Sequence, residues 1–131
     1  MSSDRLILVA DDQEGIRTLI KEILEESYSV LVAENGPGAV EIVKKQPVDL
    51  VLLDIKMSGM SGLEALSLIK QVKPKVPVIM ISGFNDPETL SQVLKRGAQG
   101  CLLKPFEIED MLDKIEDVLN KHETQNQVFQ D

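Results

Sequence analysis

The sequence has no tryptophan, one cysteine, one histidine and an aromatic content of 3%. A single thiol, Cys101, excludes an internal disulfide and any metal cage built from cysteines. So few rings leave no platform on which nucleic-acid bases could stack. Basic residues are also in deficit: 14 Lys and Arg face 22 Asp and Glu, a formal net charge of −8. Direct nucleic-acid binding needs a basic face, so that balance disfavours it. No apolar stretch approaches the length of a membrane span. The opening "MSSDRLILVADD" lacks the basic segment and small-residue cleavage site of a leader. The expectation is a cytoplasmic protein with no membrane contact.

What is present suits one domain: 131 residues, 43% hydrophobic and 27% charged. Five short apolar runs recur, at 6–10, 29–33, 49–53, 76–82 and 100–104. Most lack polar alternation, as strands buried on both faces do. Helical spacing fills the gaps. Ile16, Leu19, Ile20, Ile23 and Leu24 follow one apolar stripe, and Ile108, Met111, Leu112, Ile115, Val118 and Leu119 another. Leu63, Leu66 and Ile69 mark a third helix, Leu90, Val93 and Leu94 a fourth, and Ala39, Val40 and Val43 a shorter one. Asn35-Gly36-Pro37 opens that shorter helix, and Asp86-Pro87 reads as an N-cap followed by proline in the first turn. Strand and helix alternate five times, which predicts an α/β fold: a parallel sheet with right-handed crossovers and helices on both faces. The domain is expected to span 1–121, with 122–131 a polar tail, disordered or the start of a linker.

Open sheets of this kind bind ligands outside the carboxyl ends of their strands. The first strand ends in Asp11-Asp12, the third in Asp54, the fourth in Ser82-Gly83 and the fifth in Lys104-Pro105. Singly each has an ordinary explanation: Asp12 as a helix N-cap, Asp54 or Ser82 as a turn residue, Lys104 as a surface amine. Together they place three carboxylates, a hydroxyl and an ammonium on one rim. Crowded carboxylates repel, and one should have a raised pKa unless a cation joins them. An all-oxygen donor set favours a hard ion, and few protein ligands favour Mg²⁺. One carboxylate is then free to act as a nucleophile, while Lys104 and Ser82 serve the oxygens of a transferring phosphoryl group. A flavin or nucleotide site would instead want a Gly/Ser/Thr-rich first loop, where this chain has Asp11-Asp12-Gln13-Glu14. A turnover phosphatase would want a second acid and a cap, and neither adjoins Asp54.

The stretches "LVADDQ" (8–13), "DLVLLDIKMSGMSGLE" (49–64), "VIMISGF" (78–84) and "LLKPFE" (102–107) resemble the receiver domain of bacterial two-component response regulators. The resemblance covers roughly residues 5–121 and implies the flavodoxin-like (βα)5 doubly wound sheet with strand order 2-1-3-4-5. It also implies that Asp54 accepts a phosphoryl group from a phosphohistidine on a sensor histidine kinase or phosphotransfer protein. Asp12 and Asp54 would hold Mg²⁺ directly, Asp11 largely through water, and Lys56 through its backbone carbonyl. Ser82 would be the switch hydroxyl, and Lys104 would contact the phosphoryl group across a cis bond to Pro105. Partners would be that phosphodonor and a downstream protein or a missing output domain, with a phosphorylation-dependent dimer possible through the Leu90, Val93, Leu94 helix and the last helix. Stand-alone receiver and fragment of a longer regulator both remain open. Three features stand out against the family pattern. Cys101 stands where an aromatic switch residue is usual, Met57-Ser58 replaces Met-Pro, and Lys56 and Phe84 occupy the variable positions that flank an incoming water.

Overall fold

The computed structural model describes residues 5–83 and 87–130, with side chains as far as His122. Phe84 and the expected cap Asp86 lie outside the described residues. Five strands alternate with five helices: β1 (Leu6–Ala10), α1 (Glu14–Leu24), β2 (Ser29–Ala33), α2 (Gly36–Lys45), β3 (Leu50–Asp54), α3 (Gly62–Val72), β4 (Val78–Ser82), α4 (Pro87–Lys95), β5 (Gly100–Leu103) and α5 (Ile108–Gln130). The strands pair in parallel in the order β2-β1-β3-β4-β5. The apolar runs thus become strands close to where their composition put them. The polar segment from 122 onward was expected to fray, yet the helical backbone of α5 continues to Gln130. No glycine or proline interrupts it there, and Glu and Gln are good helix formers.

Successive strand residues point to opposite faces, and the two faces carry separate cores. Leu8, Ala10, Val51, Leu53, Val78 and Met80 pack against α2, α3 and Val93 of α4. Ile7, Val9, Leu50, Leu52, Ile79 and Ile81 pack against α1 and α5. All five residues of β3 and of β4 are buried. The edge strands are more open, and β2 has no more than its last residue fully buried. Two helix stripes are narrower than their spacing suggested. Leu19 on α1 is 55% exposed and Leu94 on α4 is 62% exposed. Each lies at the margin of an apolar arc wider than the strip the sheet covers.

The register decides what shares the rim. Ala10 pairs with Leu53, Asp54 with Ile81, and Ser82 with Leu103. Asp11 and Asp54 are therefore level at the carboxyl edge, with Ser82 one residue beyond Asp54 and Lys104 one residue beyond Ser82 on the neighbouring strands. The chain then doubles back. Gly62 donates its N–H to Ile55 O at 2.7 Å, and a Cβ on it would collide with the carbonyl oxygen of Asp54. Gly59, in the same loop, has φ +78°, where other residues are strained.

Gly62→Ala is accordingly expected to destabilise the fold by about 3 kcal/mol, since backbone has no room to yield. Gly59→Ala should cost about 1 kcal/mol through its left-handed conformation alone. Urea unfolding of the two variants checks the ranking.

Candidate functional site

Asp54 closes β3 with its side chain 4% exposed. A charge so deep in the protein needs partners for both oxygens. Oδ1 accepts the N–H of Lys56 at 3.0 Å, and Oδ2 accepts Lys104 Nζ at 2.8 Å. Lys104 reaches there from the end of β5, its own N–H bonded to Ser82 O at 2.8 Å. The Lys104–Pro105 peptide bond is cis. The pairing of residues 50 positions apart is what convergence on the rim requires.

The two acids after β1 behave differently. Asp11 is fully buried, with Oδ1 accepting the Gln13 N–H at 2.9 Å and its backbone carbonyl accepting Arg17 at 2.8 Å. Its Oδ2 is buried without a hydrogen-bond partner. Burial raises its pKa to about 6 from an ordinary 3.8; the Gln13 N–H acts against the rise, the Asp54 charge adds to it, and Lys104 lowers it. Asp12 is exposed and bonds across the site, accepting the N–H of Ser58 at 3.0 Å and its hydroxyl at 3.2 Å. Asp12 is not the N-cap of α1: Gln13 holds that position in extended conformation, with no side-chain cap. Asn35 and Ser61, by contrast, cap α2 and α3 through Gly38 N–H and Glu64 N–H.

A cavity of about 280 Å³ opens above Asp54, lined by Asp12, Gln13, Asp54, Lys56 and Lys104. Asp11 and Ser82 are not in its lining; both are fully buried at the same rim. Among the described residues, no three His, Cys, Asp or Glu side chains stand close enough to hold an ion unaided. The residues present nonetheless suit a hard cation. The orphaned, buried Asp11 oxygen lacks a positive partner, and Asp12 with the Lys56 carbonyl could complete an oxygen set filled out by water. Cys101 is half-buried and packs on the α2–α3 core, and burial raises its thiol pKa. Sequence reasoning singled out Ser58 for the proline it replaces and not for a bond, and passed over Arg17 and Gly62. The glycine pair in "SGMSG" was the one available signal; the bonds of Ser58 and Arg17 leave no periodic trace.

Known proteins place this arrangement in context. The family model for the response regulator receiver domain matches residues 7–116. The chain is similar to the chemotaxis protein CheY of Halobacterium salinarum, 40% identical over 114 residues that make up 86% of this chain and 95% of that one. It is similar to sporulation initiation phosphotransferase F of Bacillus subtilis, 37% identical over 114 residues, 86% of this chain and 92% of that. Among solved structures, a CheY-like response regulator receiver domain protein from Methanospirillum hungatei superposes with a TM-score of 0.90 at 31% identity, covering 94% of this chain and 99% of that one.

Since Asp11 binds its proton more tightly folded than at the ordinary 3.8, it favours folding at low pH and costs stability as pH rises through about 6. Asp11→Asn removes the charge and keeps an acceptor for Gln13. In metal-free buffer at about pH 7.5 it should stabilise the fold by about 1–2 kcal/mol, and the gain should shrink toward pH 4. Urea unfolding at the two pH values checks both size and sign.

Proposed function

The chain belongs to the response regulator receiver domain family, whose members are phospho-accepting signalling switches, and we propose that it takes its phosphoryl group on Asp54. The observation that carries this reading is the buried Asp54 carboxylate paired at 2.8 Å with Lys104 at the sheet's carboxyl edge. A cavity of about 280 Å³ suits a phosphoryl group and is small for a flavin. The family generally uses Mg²⁺ for phosphorylation, and Asp11, Asp12, Asp54 and the Lys56 carbonyl would hold it here. When bound, the ion neutralises carboxylate charge and polarises the phosphoryl oxygens.

The chain's own groups then divide the work. Lys56 N–H stays on Asp54 Oδ1, which favours Oδ2 as the attacking atom. As the Oδ2–phosphorus bond forms, the phosphorus–nitrogen bond to the donor imidazole breaks and its electron pair returns to the ring. The Lys104 ammonium already rests on Oδ2, so it passes to a phosphoryl oxygen with little movement. Its N–H bond to Ser82 O links that shift to β4, which supports Ser82 as the switch hydroxyl. Hydrolysis of the acyl phosphate resets Asp54, with the exposed Lys56 beside the water's approach.

A phosphohistidine on a sensor kinase or phosphotransfer protein is the proposed donor. An apolar groove of Ile16, Leu19, Ile23, Phe106 and Ile108 runs from Lys104 and Pro105 between α1 and α5. Leu19 and Ile108 are 55% and 49% exposed there, beside the acceptor, where a donor helix would seat. Leu94 and Leu103, exposed on α4 and β5, support a surface for a downstream partner or a second copy. Val93 on the same helix is fully buried and serves the core. No helix among the described residues is long and apolar enough to cross a membrane.

Acetyl phosphate with Mg²⁺ should add a single phosphoryl group, read as intact mass, and Asp54→Asn should abolish the gain. Equal modification of that variant would remove Asp54 from its role. Leu19→Glu should slow transfer from a phosphohistidine protein about tenfold and leave acetyl phosphate labelling unchanged. Slowing of both reactions alike would count against the groove.

A further inference from the structure

Asp12 is held in a way that the phosphoryl-transfer reading does not require. Both donors on its Oδ2 come from one residue, Ser58, 46 positions away in the loop between β3 and α3. Neither acid beside it, Asp11 or Asp54, takes part in that bond pair. The acids do not close into a cage: no cluster of three ligating side chains is formed among the described residues. A carboxylate oxygen that accepts both an N–H and an O–H is satisfied where it lies, and it fixes the orientation of the group. Mg²⁺ demands near-ideal octahedral geometry, and it tolerates poorly a ligand tied elsewhere.

We propose that Ser58 is a latch on the metal site, holding Asp12 on the β3–α3 loop until an incoming divalent cation draws it away. The proposal rests on the metal reading above and deepens it. Binding then carries the cost of releasing Asp12, and the measured affinity falls by the fraction of molecules already unlatched. The release also reaches the loop itself. Ser58 sits between Met57, buried in the α2–α3 core, and the left-handed Gly59. The same loop contributes the Lys56 N–H on Asp54 and ends in Gly62, against the Asp54 carbonyl. Ser58 is therefore a positioning residue, acting through Asp12 and not on the phosphoryl group.

The test uses the whole chain without phosphodonor and titrates MgCl₂ by calorimetry. Ser58→Ala removes the hydroxyl and keeps the amide, so the Mg²⁺ dissociation constant should fall about threefold. Ser58→Pro removes both donors and should lower it about tenfold. In wild type, the Ser58 amide should shift in ¹⁵N-correlated spectra and exchange faster when Mg²⁺ is added. Asp11→Asn should weaken Mg²⁺ binding whichever role Ser58 has. Unchanged or weaker binding by Ser58→Ala would overturn the latch and leave the metal site standing. Absence of Mg²⁺ binding by wild type would overturn the metal site, and the latch with it. Should Ser58→Pro melt at much lower temperature, Ser58→Ala and the Ser58 amide still decide.

Discussion

A carboxylate at the end of a buried strand is tolerable where its charge is answered at once, and the Asp54–Lys104 pair at 2.8 Å gives that answer. Much else in the molecule follows from keeping the pair together. The parallel register brings the ends of β1, β3, β4 and β5 to one edge, and an ammonium from beyond the edge strand reaches a carboxylate two strands inward. Gly62 lets the chain turn back against Asp54 without a side chain to push it aside. The Lys56 N–H occupies the other oxygen, so the carboxylate has a fixed orientation as well as a fixed place.

Around this pair the acids after β1 are deliberately unequal in environment. Asp11 is buried and lacks a partner for one oxygen, and its pKa is raised to about 6 mainly by that burial. Asp12 stands in solvent and has satisfied itself on Ser58. On the latch proposal, a divalent ion would relieve the first and detach the second. Rigid strands set where the charges are, while the β3–α3 loop would govern how readily they gather.

Legibility varied with the range of the interaction. The strands were plain in the sequence because burial on both faces leaves continuous apolar runs, and β3 and β4 are buried throughout. The rim residues were plain because a polar side chain that ends such a run stands out. The order of the strands was not written in periodicity; it came with the family resemblance. Leu19 and Leu94 looked like core and are exposed, because helical spacing marks an apolar arc without saying how much of it the sheet covers. Asp12 resembled a helix cap, yet Gln13 holds that position. Ser58 was noticed for the proline it replaces, and its bond to Asp12 could not be anticipated from one dimension.

The main-chain bond from Lys104 to Ser82 O gives the edge of the sheet a mechanical character. Lys104 grips the Asp54 carboxylate with its side chain and the neighbouring strand with its amide, as a lever with β4 for a fulcrum would. On the proposed function, a tug on the ammonium would be delivered as torque on the end of β4. With a half-buried thiol at 101 in place of a swinging ring, news of phosphorylation would travel as deformation of the backbone along that edge.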